Sequence, residues 1–203
     1  DYLANVLSDM QINYSDRVNE TRNEFWGRKV AKNIYFNYPP ALEIHPNAAK
    51  ENHRNICFVG QARRDLGLDL LLPLLPSLNQ KFGIKLKIIG SSTPYRQIIE
   101  TKINEQGLRG YVESYEWLPR EKLLELMGDC FCGINLITDE LSFSAYTVPG
   151  KILDYIQMLL PVLVTENIGA YAKIIKEDKL GCVVDSVDSG DIARKIEWLF
   201  KNQ

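Results

Sequence analysis

Apolar residues are spread along this chain in two distinct ways. From residue 2 to about residue 32 they are scattered singly among Asn, Asp, Glu and Arg (Leu3, Val6, Leu7, Met10, Ile12), a spacing that predicts one or two short amphipathic helices. Residues 33–49, NIYFNYPPALEIHPNAA, begin as a short apolar strand candidate and are then broken by Pro39, Pro40 and Pro46, so they read as an extended connector. From Arg54 onward the apolar residues gather into short unbroken runs: ICFVG, KLKIIG, the stretch at Tyr111 and Val112, CFCGINLI, PVLVT and CVVD. Between these runs lie helical patterns: LDLLLPLLPSLNQKF, YRQIIETKINEQ, Pro119 to Met127, KILDYIQM, Gly169 to Glu177 and Asp191 to Lys201. Unbroken apolar strands are buried on both faces, as parallel sheets require, and their alternation with helices predicts an α/β fold, a Rossmann-like doubly wound parallel sheet. The change of pattern puts a domain boundary near Asn52: residues 1–52 as a helical or extended segment and linker, and 53–203 as one domain.

Composition narrows the function classes. With 203 residues, 45% apolar and 25% charged, the chain can bury a sizeable core. A formal net charge of −2 supplies no overall basic field, which argues against a nucleic-acid partner. Cys57, Cys130, Cys132 and Cys182 each sit in a β-like apolar run and read as buried free thiols. With only His45 and His53 beside them, no zinc-ligand spacing can be drawn. The longest uncharged apolar stretch, Tyr155 to Thr165, is too short to span a bilayer and no signal-like segment opens the chain, so a reducing, cytoplasmic setting is expected. The chain opens on Asp1 and not on Met, as expected of a piece excised from a longer protein.

Doubly wound sheets bind ligands at the carboxyl ends of their strands, so the strand-exit loops are the places to look for chemistry. In the first, VGQARRDLGLD, Gly60 can bring backbone amides close to a phosphate while Arg63 and Arg64 add fixed positive charge. The alternative is a tight turn with two solvated arginines. In the fourth, TDELSFSAYTVPGKILDY, Pro149 and Gly150 set up a helix start. Lys151 then falls in the first turn and Asp154 one turn later on the same face. Such a lysine beside backbone amides suits a diphosphate, and such an acid suits a ribose diol; the alternative is an ordinary surface ion pair between positions i and i+3. The Leu-rich run from Leu66 to Leu78 contains Pro73 and Pro76 and is too short for a zipper, so it is expected to pack on the sheet.

The ordered set FVGQARRDLGLDLLL, LKIIGSSTPYRQIIE, YVESYEWLPREKLLELMGDCFCGINLI, VPGKILDYIQMLLPVLVT and LGCVVD resembles the C-terminal, donor-binding domain of retaining glycosyltransferases of the GT-B fold, the group 1 type. The resemblance covers about three quarters of the chain. It implies one half of a GT-B fold, with residues 1–52 a remnant of the acceptor domain and linker. It implies a nucleoside-diphosphate sugar donor, carrying UDP or GDP, and transfer of the sugar to a hydroxyl of a glycan or lipid-linked acceptor without a metal or other cofactor. It carries the diphosphate contact to Gly60 and Lys151 and the ribose contact to Asp154, and it places base recognition along Tyr115, Glu116, Trp117 and Leu118; Trp117 reads either as a stacking residue or, the favoured alternative, as core. The family's basic positions in the first loop correspond here to Gln61 and Leu66, so Arg63 and Arg64 stand in for them by charge. Its acid for the donor sugar falls at Tyr146, leaving Asp139 or Glu140 to serve. No catalytic residue is implied. The resemblance further implies that this chain is inactive without the missing N-terminal domain, and that the full protein works in polysaccharide or glycolipid assembly, in the cytoplasm or peripherally at the inner membrane face. The competing readings are a non-catalytic nucleotide- or protein-binding module of the same fold, favoured by the departures at Gln61 and Leu66, and an epimerase sharing the sugar-nucleotide crevice.

Overall fold

A computed structural model describes residues 10–13, 20, 24–25, 32–35, 53–91, 94–138, 149–168, 170–184 and 188–202. Near the amino end, β1 (Met10–Asn13) and β2 (Lys32–Tyr35) form a separate two-stranded parallel sheet in which Met10 faces Lys32 and Asn13 faces Tyr35. The sequence at Met10 to Asn13 was expected to be helical and is a strand. The residues MQIN alternate apolar and polar with a period of two, and pairing with KNIY gives their backbone groups partners that a short isolated helix would leave to water.

The second unit follows the expected alternation. Its elements are β3 (Asn55–Val59), α1 (Leu68–Leu71), α2 (Leu75–Phe82), β4 (Lys85–Ile89), α3 (Pro94–Glu105), β5 (Val112–Tyr115), α4 (Arg120–Met127), β6 (Cys130–Asn135), α5 (Gly150–Gln157), β7 (Val162–Thr165), α6 (Ala170–Glu177), β8 (Gly181–Val184) and α7 (Ser189–Lys201). The Leu-rich run does not form one helix. A 3-10 turn at Leu72–Leu74 separates α1 from α2, and Pro73 and Pro76 are the second residues of the turn and of α2, within the first turn where a missing amide hydrogen costs least.

All six strands are parallel, in the order β5-β4-β3-β6-β7-β8. The chain winds outward from β3 through β4 to β5, returns to β6, and winds outward the other way. The switch of direction between β3 and β6 opens a crevice at the carboxyl ends of these two strands. The core is the row of strand residues Ile56, Phe58, Leu86, Ile88, Ile134 and Val164 with the helix faces that cover them, all essentially excluded from water. Cys57, Cys130 and Cys132 are buried free thiols in β3 and β6, as expected, and Cys182 in the edge strand β8 is half-buried.

One contact sets the position of α5 over the crevice. Tyr155 is fully buried, and a Cβ on Gly133 would come within 2.3 Å of its ring, so only glycine lets the helix approach β6 this closely. The Tyr155 hydroxyl accepts a hydrogen bond from the amide of Val59 at 2.9 Å and donates to the carbonyl of Ile134 at 3.1 Å. One side chain thus ties the helix to both strands of the switch point, and the start of α5 lies beside the end of β3. Burial of its ring contributes about 2 kcal/mol, and the two hydrogen bonds satisfy its hydroxyl.

Candidate functional site

The carboxyl end of β3 opens through Gly60, whose φ of +104° few other residues adopt. Its amide donates to the carbonyl of Ile89 at 2.8 Å, and the amide of Gly90, one strand over, donates to the carbonyl of Tyr115 at 3.1 Å. The exits of β3, β4 and β5 are therefore bonded in a step. Ser91, wholly buried, accepts a hydrogen bond from the amide of Ala62 at 3.1 Å and closes the first loop onto the second.

Lys151, in the first turn of α5, reaches into this corner. Its Cε lies 3.6 Å from where a Gly60 Cβ would stand, and its ammonium sits 4.2 Å from the centroid of the Phe58 ring. The ammonium is buried and has no hydrogen-bond partner among the described residues. Burial, with a smaller push from the Arg63 guanidinium and against a pull from Asp65, brings its pKa down from 10.5 to about 7. A cation held out of water without a partner is the costly arrangement that an anionic ligand would relieve. The side-chain amide of Asn135, at the carboxyl end of β6, is likewise buried with no hydrogen-bond partner among the described residues.

The two arginines of the first loop diverge. Arg63 donates to Asp65 at 2.9 Å and belongs to the electrostatic surroundings of Lys151. Arg64 acts instead on Asp69, which also accepts from Tyr95 at 2.6 Å and Lys102 at 2.7 Å; burial of Tyr95 and its bond to Asp69 push the phenol well above 10.

Beyond β5 the chain runs exposed. Glu116 receives a hydrogen bond from Arg96 at 3.0 Å, and the same guanidinium nitrogen donates to the carbonyl of Ser91 at 3.1 Å, binding the third loop to the second. Leu118 is half-buried. Trp117 is 71% exposed, which corrects the expectation that it is mainly core: β5 is an edge strand, and no described element covers the chain as it leaves.

Asp154 lies one turn beyond Lys151, as the sequence spacing requires, but it is not paired with it. Its carboxylate accepts from Arg120, at the start of α4, at 2.8 Å. The i, i+3 surface ion pair considered from the sequence is thus absent. Sequence reasoning did not single out Arg120, Arg96, Ser91 or Asn135. Asp139, Glu140 and Tyr146 lie outside the described residues. Among the described residues no group of three or more His, Cys, Asp or Glu side chains could hold a metal ion, and no helix is long and apolar enough to cross a membrane.

The structure therefore brings Gly60, Arg63 and Lys151 together at the switch point, with Asp154 on the adjoining helix turn and Glu116 to Leu118 along the neighbouring exit. Residues 42–203 match the family described as Glycosyl transferases group 1. No curated protein matches the chain. Among solved structures it is similar to the pneumococcal O-GlcNAc transferase GtfA in complex with UDP and GlcNAc, at 14% identity and a TM-score of 0.76, over 100% of this chain and 40% of that one. It is similar to Anabaena HepE in complex with UDP and glucose, at 17% identity and a TM-score of 0.77, over 98% of this chain and 55% of that one. It is also similar to the sucrose-phosphate synthase of Thermosynechococcus elongatus, at 16% identity and a TM-score of 0.75, over 99% of this chain and 51% of that one. At these identities the likeness is one of fold, the doubly wound half of the GT-B architecture, and the chain spans only 40 to 55% of the length of these structures.

Proposed function

Because this chain belongs to the glycosyl transferases group 1 family, we propose that it binds a nucleoside-diphosphate sugar and serves as the donor half of an enzyme that passes the sugar to an acceptor hydroxyl. The observation that carries this reading is the buried, unpartnered ammonium of Lys151 beside the Gly60 turn at the switch point. In this reading Lys151 takes the diphosphate, which the side-chain-free turn at Gly60 lets approach closely, with Arg63 and Arg64 adding charge at the rim. Asp154 accepts from the ribose diol, Glu116 to Leu118 run beside the base, and Asp139 or Glu140 meets the donor sugar. Chemically, the work is stabilisation of a leaving diphosphate: positive charge fixed in a low-dielectric corner gains strength as the anomeric bond breaks, and such preorganised groups supply several kcal/mol of barrier reduction. This needs no divalent ion, so the reaction is read as metal-independent, and the family resemblance assigns it retention at the anomeric carbon.

The relatives bound to UDP, GtfA and HepE, support a nucleotide donor, with UDP or GDP as the carrier here. Their roughly doubled length supports a second domain of comparable size that brings the acceptor, so this chain alone is expected to bind donor and turn over poorly. The parallel pair β1–β2 fits the last part of that domain, with the linker ending near Asn52. A glycan or lipid-linked acceptor and a cytoplasmic setting, with contact at the inner membrane face, complete the reading. Calorimetry with uridine and guanosine diphosphates on the unaltered chain, Lys151→Ala and Asp154→Ala tests it. Binding that weakens in both variants supports the site. Binding unchanged in both removes it.

A further inference from the structure

Arg120 is the first residue of α4, yet its partners are on α5. Nη1 donates to Asp154 Oδ1 at 2.8 Å, and Nη2 donates to Gln157 Oε1. The two acceptors stand three residues apart, one helical turn, so the flat fork of a guanidinium spans them at once where an ammonium would hold one. The Gln157 side chain is buried, the Asp154 carboxylate is 18% exposed, and the Arg120 side chain is 54% exposed. An ion pair this open contributes little to stability. Its effect is on direction: the bond uses Oδ1 of Asp154 and leaves Oδ2 with no hydrogen-bond partner among the described residues. A carboxylate with one oxygen anchored and the other open is set to accept from a hydroxyl, and a polar group whose rotamer is fixed by such a partner binds with less ordering to be done.

We propose that Arg120 is a positioning residue for nucleotide recognition: by holding Oδ1 of Asp154 it aims Oδ2 at the ribose hydroxyls and sets the preference of the site for ribose over 2′-deoxyribose. This rests on the assignment of Asp154 to the ribose. Arg120 touches neither the diphosphate corner at Lys151 nor the exits of β3 and β4, so its removal acts on sugar discrimination and leaves phosphate binding in place.

The test measures affinities of uridine and guanosine diphosphates and their 2′-deoxy counterparts for the unaltered chain, Arg120→Ala, Arg120→Lys, Asp154→Asn and Lys151→Ala. The unaltered chain is expected to prefer the ribonucleotide about tenfold, the worth of one hydrogen bond to a charged group. Arg120→Ala brings that ratio toward one, chiefly by weakening the ribonucleotide, and Arg120→Lys restores part of it. Lys151→Ala weakens ribo and deoxy ligands alike and leaves the ratio intact. Thermal unfolding of Arg120→Ala is expected within a few degrees of the parent; if that variant does not fold, the ratio is read from Arg120→Lys, which must lie below the parent. A ratio that persists without Arg120 but collapses in Asp154→Asn overturns the positioning role and keeps the ribose assignment. Tighter ribonucleotide binding in Arg120→Ala also overturns it, marking Arg120 as a competitor of the ribose. No preference for ribose in the unaltered chain, or no nucleotide binding, overturns both.

Discussion

Two lysines with buried ammonium groups serve opposite ends of the same sheet. Lys87, in β4, is 5% exposed, and its ammonium donates to both oxygens of Asp129, at 2.6 and 2.7 Å, and to the carbonyl of Leu126 at 3.2 Å. All three of its hydrogens have acceptors. Lys151, at the opposite end of the strands, has no hydrogen-bond partner among the described residues and lies over a ring. The first arrangement is what folding alone selects, since a buried charge is tolerable when paired and bonded. The second costs stability, which on the proposed reading a bound anion returns. Burial by itself therefore does not separate the two lysines, and the absence of a partner does.

The comparison can be broken at either lysine. The largest expected effect is at Lys151: its replacement by Ala lowers nucleoside-diphosphate affinity about a hundredfold, or about 2–3 kcal/mol, the worth of a charge-assisted contact in a water-poor corner, read by calorimetry. Next is Asp129→Ala, which strips Lys87 of its charge partner while leaving one carbonyl. Urea unfolding should show a loss of about 2 kcal/mol, less than for a sealed pair because Asp129 is itself half-exposed, with nucleotide affinity unchanged. Smaller and of opposite sign, Lys151→Met should stabilise the free protein by about 1–2 kcal/mol at pH 6. The unfolded chain holds the Lys151 proton with a pKa of 10.5 and the folded chain with one of about 7. The charge penalty is therefore full below about pH 7 and fades as the pH rises toward 10.5, and the gain from Met should fade over the same window. The smallest effect belongs to Arg63→Gln: loss of that nearby charge should move the Lys151 titration slightly upward by NMR, since the guanidinium opposes protonation.

Five of the six strands were legible because they are largely apolar runs set by local pattern, and they lie where ICFVG, KLKIIG, CFCGINLI, PVLVT and CVVD predict; β5, expected at Tyr111 and Val112, instead runs over Val112–Tyr115, because the half-buried edge sequence VESY carries too little apolar signal to show its extent. The placement of Lys151 and Asp154 one turn apart at the start of α5 was legible because Pro149 and Gly150 mark the helix start. What could not be read depended on distant partners. Arg120 meets Asp154 across 34 positions, and in the sequence it is one arginine at a helix start. Tyr155 reads as one more apolar helix position, and its hydroxyl bonds across the switch point appear only once β3 and β6 are neighbours. Trp117 was misjudged because aromatic area is usually buried, while here the chain leaves an edge strand. Met10 to Asn13 was misjudged because four residues satisfy two periodicities, and pairing with β2 decided between them.

The central claim is that the Lys151 ammonium waits for a diphosphate. Binding should pair the ammonium with phosphate oxygens and raise its pKa, so at pH 8.5, where a terminal phosphate with a pKa of about 6 is already ionised, the complex must take up a proton. Calorimetry of uridine or guanosine diphosphate binding in buffers of different ionisation enthalpy measures that uptake. The account predicts close to one proton for the unaltered chain and none for Lys151→Ala. Binding with no proton uptake, or with the same uptake in both proteins, would contradict it.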